Sequence, residues 1–174
     1  MAVVTRRFVQ VDPKGDMAAK PLSEFDAEPA LVVLGDPGAG KTTSCRAAAD
    51  AEANAEFVSV RDFITFLRER WRGKRLYLDG LDEQRAKTKD GAGVLDQVRA
   101  RLDQLGCPSF RLSCRAADWF GTSDLKALRA VSPTQSVTVV RLEPLSEQDI
   151  HDIASDVLSD AGTFIAEAKR RGLY

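Results

Sequence analysis

The chain has 174 residues, 44% of them hydrophobic and 29% charged, which suits one α/β domain able to bury roughly 70% of its unfolded surface. Its 12 glycines and 7 prolines are too few for a collagen-like, low-complexity or disordered chain. With 25 Lys and Arg against 26 Asp and Glu the net charge is −1, so overall electrostatics gives no direct signal for nucleic acid and no attraction to a membrane surface.

Residues 1–29 have no long period; Phe8, Val9 and Val11 read as an edge strand and Asp12-Pro13-Lys14-Gly15 as a turn, so this stretch is expected to be a leader packed on a core. Five short runs rich in Val, Leu, Ile or Phe follow, near 30–34, 56–60, 75–79, 109–114 and 137–142, with segments of helical period between them. That alternation predicts a mainly parallel sheet with helices on both faces, an α/β three-layer sandwich. Phe63, Ile64, Leu67 and Trp71 form one helical stripe, and Val94, Leu95, Val98, Leu102 and Leu105 another. Residues 84–93 are polar and glycine-bearing, the pattern of a mobile loop. After Pro144, Ser146 with Asp149 predicts a capping box, opening a helix with the stripe Ile150, Ile153, Ala154, Val157 and Leu158. A last helix is expected from about Thr163 to Arg171, with Gly172 as its C-cap and Leu173 and Tyr174 as an apolar end. The expected organisation is a leader over 1–29, a core over 30–145 and C-terminal helices over 146–174.

Three cysteines, Cys45, Cys107 and Cys114, are an odd number without Cys-x-x-Cys spacing, which suggests neither a disulfide framework nor a zinc site. Arg6 and Arg7 precede no apolar signal region, and the longest apolar run, Ala30 to Leu34, is far too short to span a bilayer. A cytoplasmic location and no membrane partner are expected.

The strongest chemical signal is Gly35-Asp36-Pro37-Gly38-Ala39-Gly40-Lys41-Thr42, a complete G-x-x-x-x-G-K-[ST] string between a buried strand and a helix. Such a loop wraps a phosphate with backbone N–H groups, and the helix after it aims its positive dipole end at the anion. Lys41 is the residue for the β and γ phosphates and the Thr42 hydroxyl is a ligand for Mg²⁺, with Thr43 beside them on the first helical turn. ATP or ADP with Mg²⁺ is the implied cofactor set. The second signal is Arg75-Leu76-Tyr77-Leu78-Asp79-Gly80-Leu81-Asp82-Glu83, an apolar strand delivering acids at its carboxyl end, the edge where open parallel sheets bind ligands. Asp79 at the strand tip suits Mg²⁺ held through water. Asp82 and Glu83 follow, either able to orient or deprotonate an attacking water.

Together these strings resemble the NACHT family of the STAND class of signalling NTPases. The resemblance spans about residues 30–172 and is carried by the P-loop, by Leu78-Asp79-Gly80-Leu81-Asp82-Glu83, by Ser113-Cys114-Arg115 and by Arg141-Leu142-Glu143-Pro144-Leu145-Ser146. It implies a P-loop NTPase with a five-stranded sheet in spatial order 5-1-4-3-2 and with Arg115 beside the γ-phosphate, where a cation senses the third phosphate and stabilises transition-state charge. It also places the acidic function at Asp82 or Glu83, Asp82 being slightly favoured, because a small residue, Gly80, follows the magnesium aspartate. A slow ATPase switch is the implied activity, closed with ADP, opening to exchange for ATP and self-associating to drive an effector. Family members continue into a lid, a winged helix with a phosphate-reading histidine and a sensor region; this chain reads as the nucleotide-binding core of such a protein or a truncated relative. His151 does not correspond to that histidine and reads as a solvated or boundary residue.

Two other functions fit the P-loop. A small-molecule kinase needs an Arg-rich lid and a substrate-binding acid on the strand after the P-loop helix, here Glu56 to Val60, and leaves the Asp82-Glu83 pair without a task. A nucleotide-dependent assembly module with negligible turnover is predicted by the same motif residues and is separated from a hydrolase by a measured turnover rate.

Overall fold

The structure is a computed structural model that describes residues 5–11, 15, 17–88, 91–158 and 160–171. Its centre is β3 (Ala30–Leu34), five apolar residues that are all buried. A strand buried on both faces reads as a continuous apolar run, and here alternate residues feed two separate cores. Leu31 and Val33 pack with Phe8, Phe25, Cys45 and Ala49. Ala30, Val32 and Leu34 pack on the opposite face with Val60, Phe63, Leu81, Val98, Leu102 and Leu128. Burying each of the Val, Leu and Phe side chains among these stabilises the fold by about 1.5–3 kcal/mol.

Four strands run parallel with β3 in one sheet: β4 (Ala55–Ser59), β5 (Arg75–Asp79), β6 (Phe110–Cys114) and β7 (Thr138–Leu142). On one face lies α1 (Lys41–Ala51), which carries Cys45 and Ala49 into the core. The other face takes α2 (Val60–Thr65), α3 (Leu81–Arg85), α4 (Gly91–Gln104) and α5 (Thr122–Arg129). α2 starts on Ser59, whose hydroxyl accepts from the Asp62 amide at 3.0 Å.

The sheet differs from the expected five strands. It has seven, because β1 (Arg7–Gln10) pairs antiparallel with β7 and β2 (Lys20–Pro21) pairs antiparallel with β1, giving the order β2-β1-β7-β3-β6-β5-β4. The cause is the outer side of β7: without a neighbour its amide and carbonyl groups would stand unpaired. Phe8 enters the core at 1% exposure, so this part of the leader is integral to the sheet rather than laid upon it. Of the predicted Asp12–Gly15 turn, residues 12–14 lie outside the described residues.

Two helical expectations are also corrected. The stripe Phe63–Trp71 is not one helix, because α2 ends at Thr65, Phe66 turns extended, and a 3₁₀ turn (Glu69–Trp71) follows. Phe63 and Trp71 still meet, with ring centroids 5.5 Å apart, while Phe66 and Leu67 are exposed. The predicted loop 84–93 is shorter, since α3 includes Gln84 and Arg85 and α4 already begins at Gly91; residues 89–90 lie outside the described residues.

Residues 7–143 form one compact unit, and the described parts of 1–6 and 144–174 a second. The second contains α6 (Glu147–Val157) and α7 (Ala161–Arg170). The capping box is present: Ser146 Oγ accepts from the Asp149 amide at 3.1 Å and Asp149 Oδ2 accepts from the Ser146 amide at 2.8 Å. α7 begins two residues earlier than its apolar period suggests, because Asp160 caps it by accepting from the Thr163 amide at 3.0 Å. The predicted cap Gly172 and the end Leu173-Tyr174 lie outside the described residues. His151 is exposed, 3.3 Å from the Ser155 hydroxyl. No helix among the described residues is long and apolar enough to cross a membrane.

Candidate functional site

The carboxyl ends of β3, β5 and β6 lie side by side and deliver the Gly-rich loop, Asp79 and Ser113 to one edge of the sheet. The loop leaves β3 at Gly35, turns where the Ala39 amide donates to the Asp36 carbonyl at 3.2 Å, and enters α1 at Lys41. Gly40 caps α1 with φ +95°, a left-handed conformation that a side chain would strain. The first turn of α1 holds Lys41, Thr42 and Thr43 and no acid, so the positive end of the helix dipole meets no carboxylate of its own.

Lys41 folds back over the loop, its Nζ donating to the Gly35 carbonyl at 2.7 Å and the Asp36 carbonyl at 3.0 Å. The Thr42 hydroxyl donates to Asp79 Oδ2 at 2.8 Å. Ser113 Oγ donates to Asp79 Oδ1 and accepts from the Gly80 amide at 3.0 Å. Asp79 thereby ties the first turn of α1 to the tips of β5 and β6. Gly80 has φ +86°, again a glycine conformation, and starts α3, which carries Asp82 and Glu83.

The two acids of α3 differ. Asp82 is 7% exposed and bound to Arg115 twice, with Oδ1 accepting from the Arg115 amide at 3.2 Å and Oδ2 2.8 Å from its Nε. Glu83 is exposed and bends back so that its carboxyl carbon lies 3.4 Å from where a Cβ on Gly80 would stand. α3 is anchored by Arg85, whose two terminal nitrogens each donate to an Asp124 oxygen at 2.8 Å and whose guanidinium lies 4.3 Å above the Phe120 ring. Both partners of that pair are 4% exposed.

A cleft of about 140 Å³ opens between these groups, lined by Pro37, Gly38, Lys41, Thr42, Asp79, Gly80, Asp82, Glu83, Ser113 and Arg115. Of the residues singled out in sequence, Lys41, Thr42, Asp79, Asp82, Glu83 and Arg115 are therefore brought together. Gly35, Asp36, Ala39 and Gly40 shape the loop behind the lining, and Thr43 is exposed outside it. Sequence reasoning missed the Ser113 bridge and the Arg85–Asp124 anchor; a buried serine next to the carboxyl end of β6 was the available signal for the first. Burial pushes the Cys114 thiol, just past Ser113, up to about 12, with the Asp82 charge adding to the effect.

The donor set suits a divalent cation of the magnesium type. Thr42 gives its proton to Asp79 and keeps oxygen lone pairs, while the Asp79 carboxylate stands next to them. Among the described residues no group of three or more His, Cys, Asp or Glu could cage a metal. Mg²⁺ is commonly held by one or two protein oxygens together with waters and phosphate, so the sparse set fits. No known protein-family model matches the chain, and no curated protein matches it either.

Proposed function

We propose that the chain is the nucleotide-binding core of a STAND/NACHT-like signalling ATPase with a P-loop NTPase fold, binding Mg-ATP and Mg-ADP and hydrolysing ATP slowly as a conformational switch. The observation that carries this reading is the Thr42–Asp79 hydrogen bond, which joins the Gly-rich loop to the acidic strand tip inside a cleft that Lys41 and Arg115 also line. The strand arrangement adds support: numbered along the chain, the five parallel strands stand in the order 5-1-4-3-2. That places β6, and so Ser113 and Arg115, between the loop strand and the acidic strand.

The loop amides and the amino end of α1 receive the phosphates, with Lys41 exchanging its hold on the Gly35 and Asp36 carbonyls for phosphate oxygens. Mg²⁺, held by Thr42 and through water by Asp79, supplies charge neutralisation at the phosphate oxygens when bound. An acid of α3, Asp82 or Glu83, orients the water whose oxygen bonds to the terminal phosphorus as the bond to the bridging oxygen breaks. Arg115 stabilises charge on the terminal phosphate. Sensor or effector domains and self-association belong to the same proposal as partners of a longer protein.

One observation favours an assembly module with negligible turnover as the second reading: Asp82, half of the acidic pair, already has both oxygens on Arg115. The kinase reading is weakened, because Glu56 is engaged by Arg70 at 2.6 Å and Lys74 at 2.9 Å on the edge strand β4, three places from the loop strand. Calorimetric titration of the chain with ATP and ADP, with and without Mg²⁺, is the test; heat of binding that needs Mg²⁺ is expected, and no binding of either nucleotide overturns the proposal.

A further inference from the structure

The sequence offers Asp82 or Glu83 as the water-orienting acid with a slight preference for Asp82, and the geometry divides them the other way. Resting on the nucleotide reading above, we propose that Asp82 is a positioning residue that holds Arg115 at the third-phosphate position, and that Glu83 alone orients the water.

A group that orients a water needs an oxygen within hydrogen-bond reach of that water. Asp82 gives one oxygen to the Arg115 backbone and the other to the Arg115 side chain, and it is 7% exposed. Glu83 is exposed, faces the same cleft and lies over Gly80, next to Asp79.

The Arg115 side chain is 47% exposed, and among the described residues Asp82 is the partner that holds its long flexible stem at the lip of the cleft. Asp82 grips it at the amide and at Nε, the nitrogen nearest the backbone, and an arginine carries further N–H donors on the far edge of its planar fork. A cation held by its near edge is pre-set to receive an anion on its far edge, which lowers the ordering cost of binding a third phosphate. The Arg85–Asp124 pair serves this arrangement by fixing α3, and with it Asp82.

The test compares affinity for a β,γ-imido analogue of ATP with affinity for ADP in the full chain, by calorimetry, alongside turnover of ATP. Asp82→Asn keeps the volume and an acceptor for the Arg115 amide while losing the charge. It should lower the analogue-to-ADP affinity ratio roughly tenfold, as should Arg115→Ala. In the Arg115→Ala background, Asp82→Asn should change the ratio no further, because its effect runs through Arg115. Glu83→Gln should leave the ratio unchanged and lower turnover by about a hundredfold or more. If Asp82→Asn leaves the ratio at its wild-type value, or lowers it equally with and without Arg115, the inference fails and nucleotide binding stands. Should Asp82→Asn not fold, Glu83→Gln decides the matter, since wild-type turnover in that variant overturns the assignment. A wild-type chain that binds neither nucleotide removes the functional reading and this inference together.

Discussion

The two ends of the parallel strands carry polar groups of similar kind and put them to opposite uses. At the amino end, Arg111 of β6 is 1% exposed and spends its guanidinium on the protein's own carbonyls, Glu28 at 2.6 Å, Phe25 at 3.0 Å and Phe110 at 3.2 Å. Beside it Arg75 pairs with Glu52 at 3.1 Å and donates to the Asp26 carbonyl at 2.8 Å. At the carboxyl end Lys41, Asp79, Glu83 and Arg115 border an open cleft. A charge at a strand tip is thus no sign of a site until its partners are known: the amino edge is closed on itself and holds the leader in place, and the carboxyl edge keeps its groups where a solute reaches them.

Substitutions should separate the two edges. The largest effect is expected from Arg111→Met, which strands the Phe25 and Glu28 carbonyls and loosens the segment before β3. A loss of about 3 kcal/mol in stability is expected, read as a lower urea midpoint, with nucleotide affinity of the folded protein unchanged. Weakened nucleotide binding without loss of stability would erase the distinction between the edges. Asp79→Asn should do the opposite. Mg²⁺-dependent turnover is expected to fall by about a hundredfold, about 2.7 kcal/mol in the barrier, while the urea midpoint moves little. Next comes Lys41→Ala, which removes the charge proposed to meet the β and γ phosphates and should weaken ATP and ADP binding at least tenfold, about 1.4 kcal/mol. Equal calorimetric titrations of Lys41→Ala and wild type would refute its role.

What the sequence made legible follows the range of the forces involved. The five parallel runs fall within one residue of the observed strands, because burial on both faces demands an uninterrupted apolar stretch. The Gly-rich loop was readable for a similar local reason: strand, glycines and helix are consecutive. Pairings between distant segments were not readable. β1 joins β7 across 130 residues of chain, and nothing in Arg7–Gln10 names its neighbour. The break after Thr65 has no glycine or proline to announce it, and the break sends Leu67 to solvent although it shares a helical period with Phe63. α5 was missed because its only fully buried apolar residue, Leu128, lies near its end, with the buried Asp124 claimed by Arg85. At the site, the sequence leaned slightly to Asp82 over its neighbour, whereas in the structure Asp82 is buried against Arg115, 33 residues on, and Glu83 is exposed.

The smallest effect sharpens the comparison at the fringe of the amino edge. Glu56 of β4 lies between Lys74 and Arg70, and the hydrogen bond from Lys74, reinforced by both cations, holds its carboxyl below the usual glutamate range. A group with a lowered folded-state pKa contributes stability that is fully present above its unfolded value, near 4.5, and lost as pH falls through the folded value. The pair is partly solvated, so the contribution is about 0.5 kcal/mol or less. Glu56→Gln should therefore lower the urea midpoint slightly at pH 6, and the gap from wild type should narrow as the pH is taken below 4.5. Measuring both proteins at high salt adds a second check, because screening weakens a fringe pair and leaves the buried Arg111 hydrogen bonds in place. A gap that persists unchanged at low pH would mean that Glu56 acts through packing rather than charge, and would make the fringe as closed as the edge it borders.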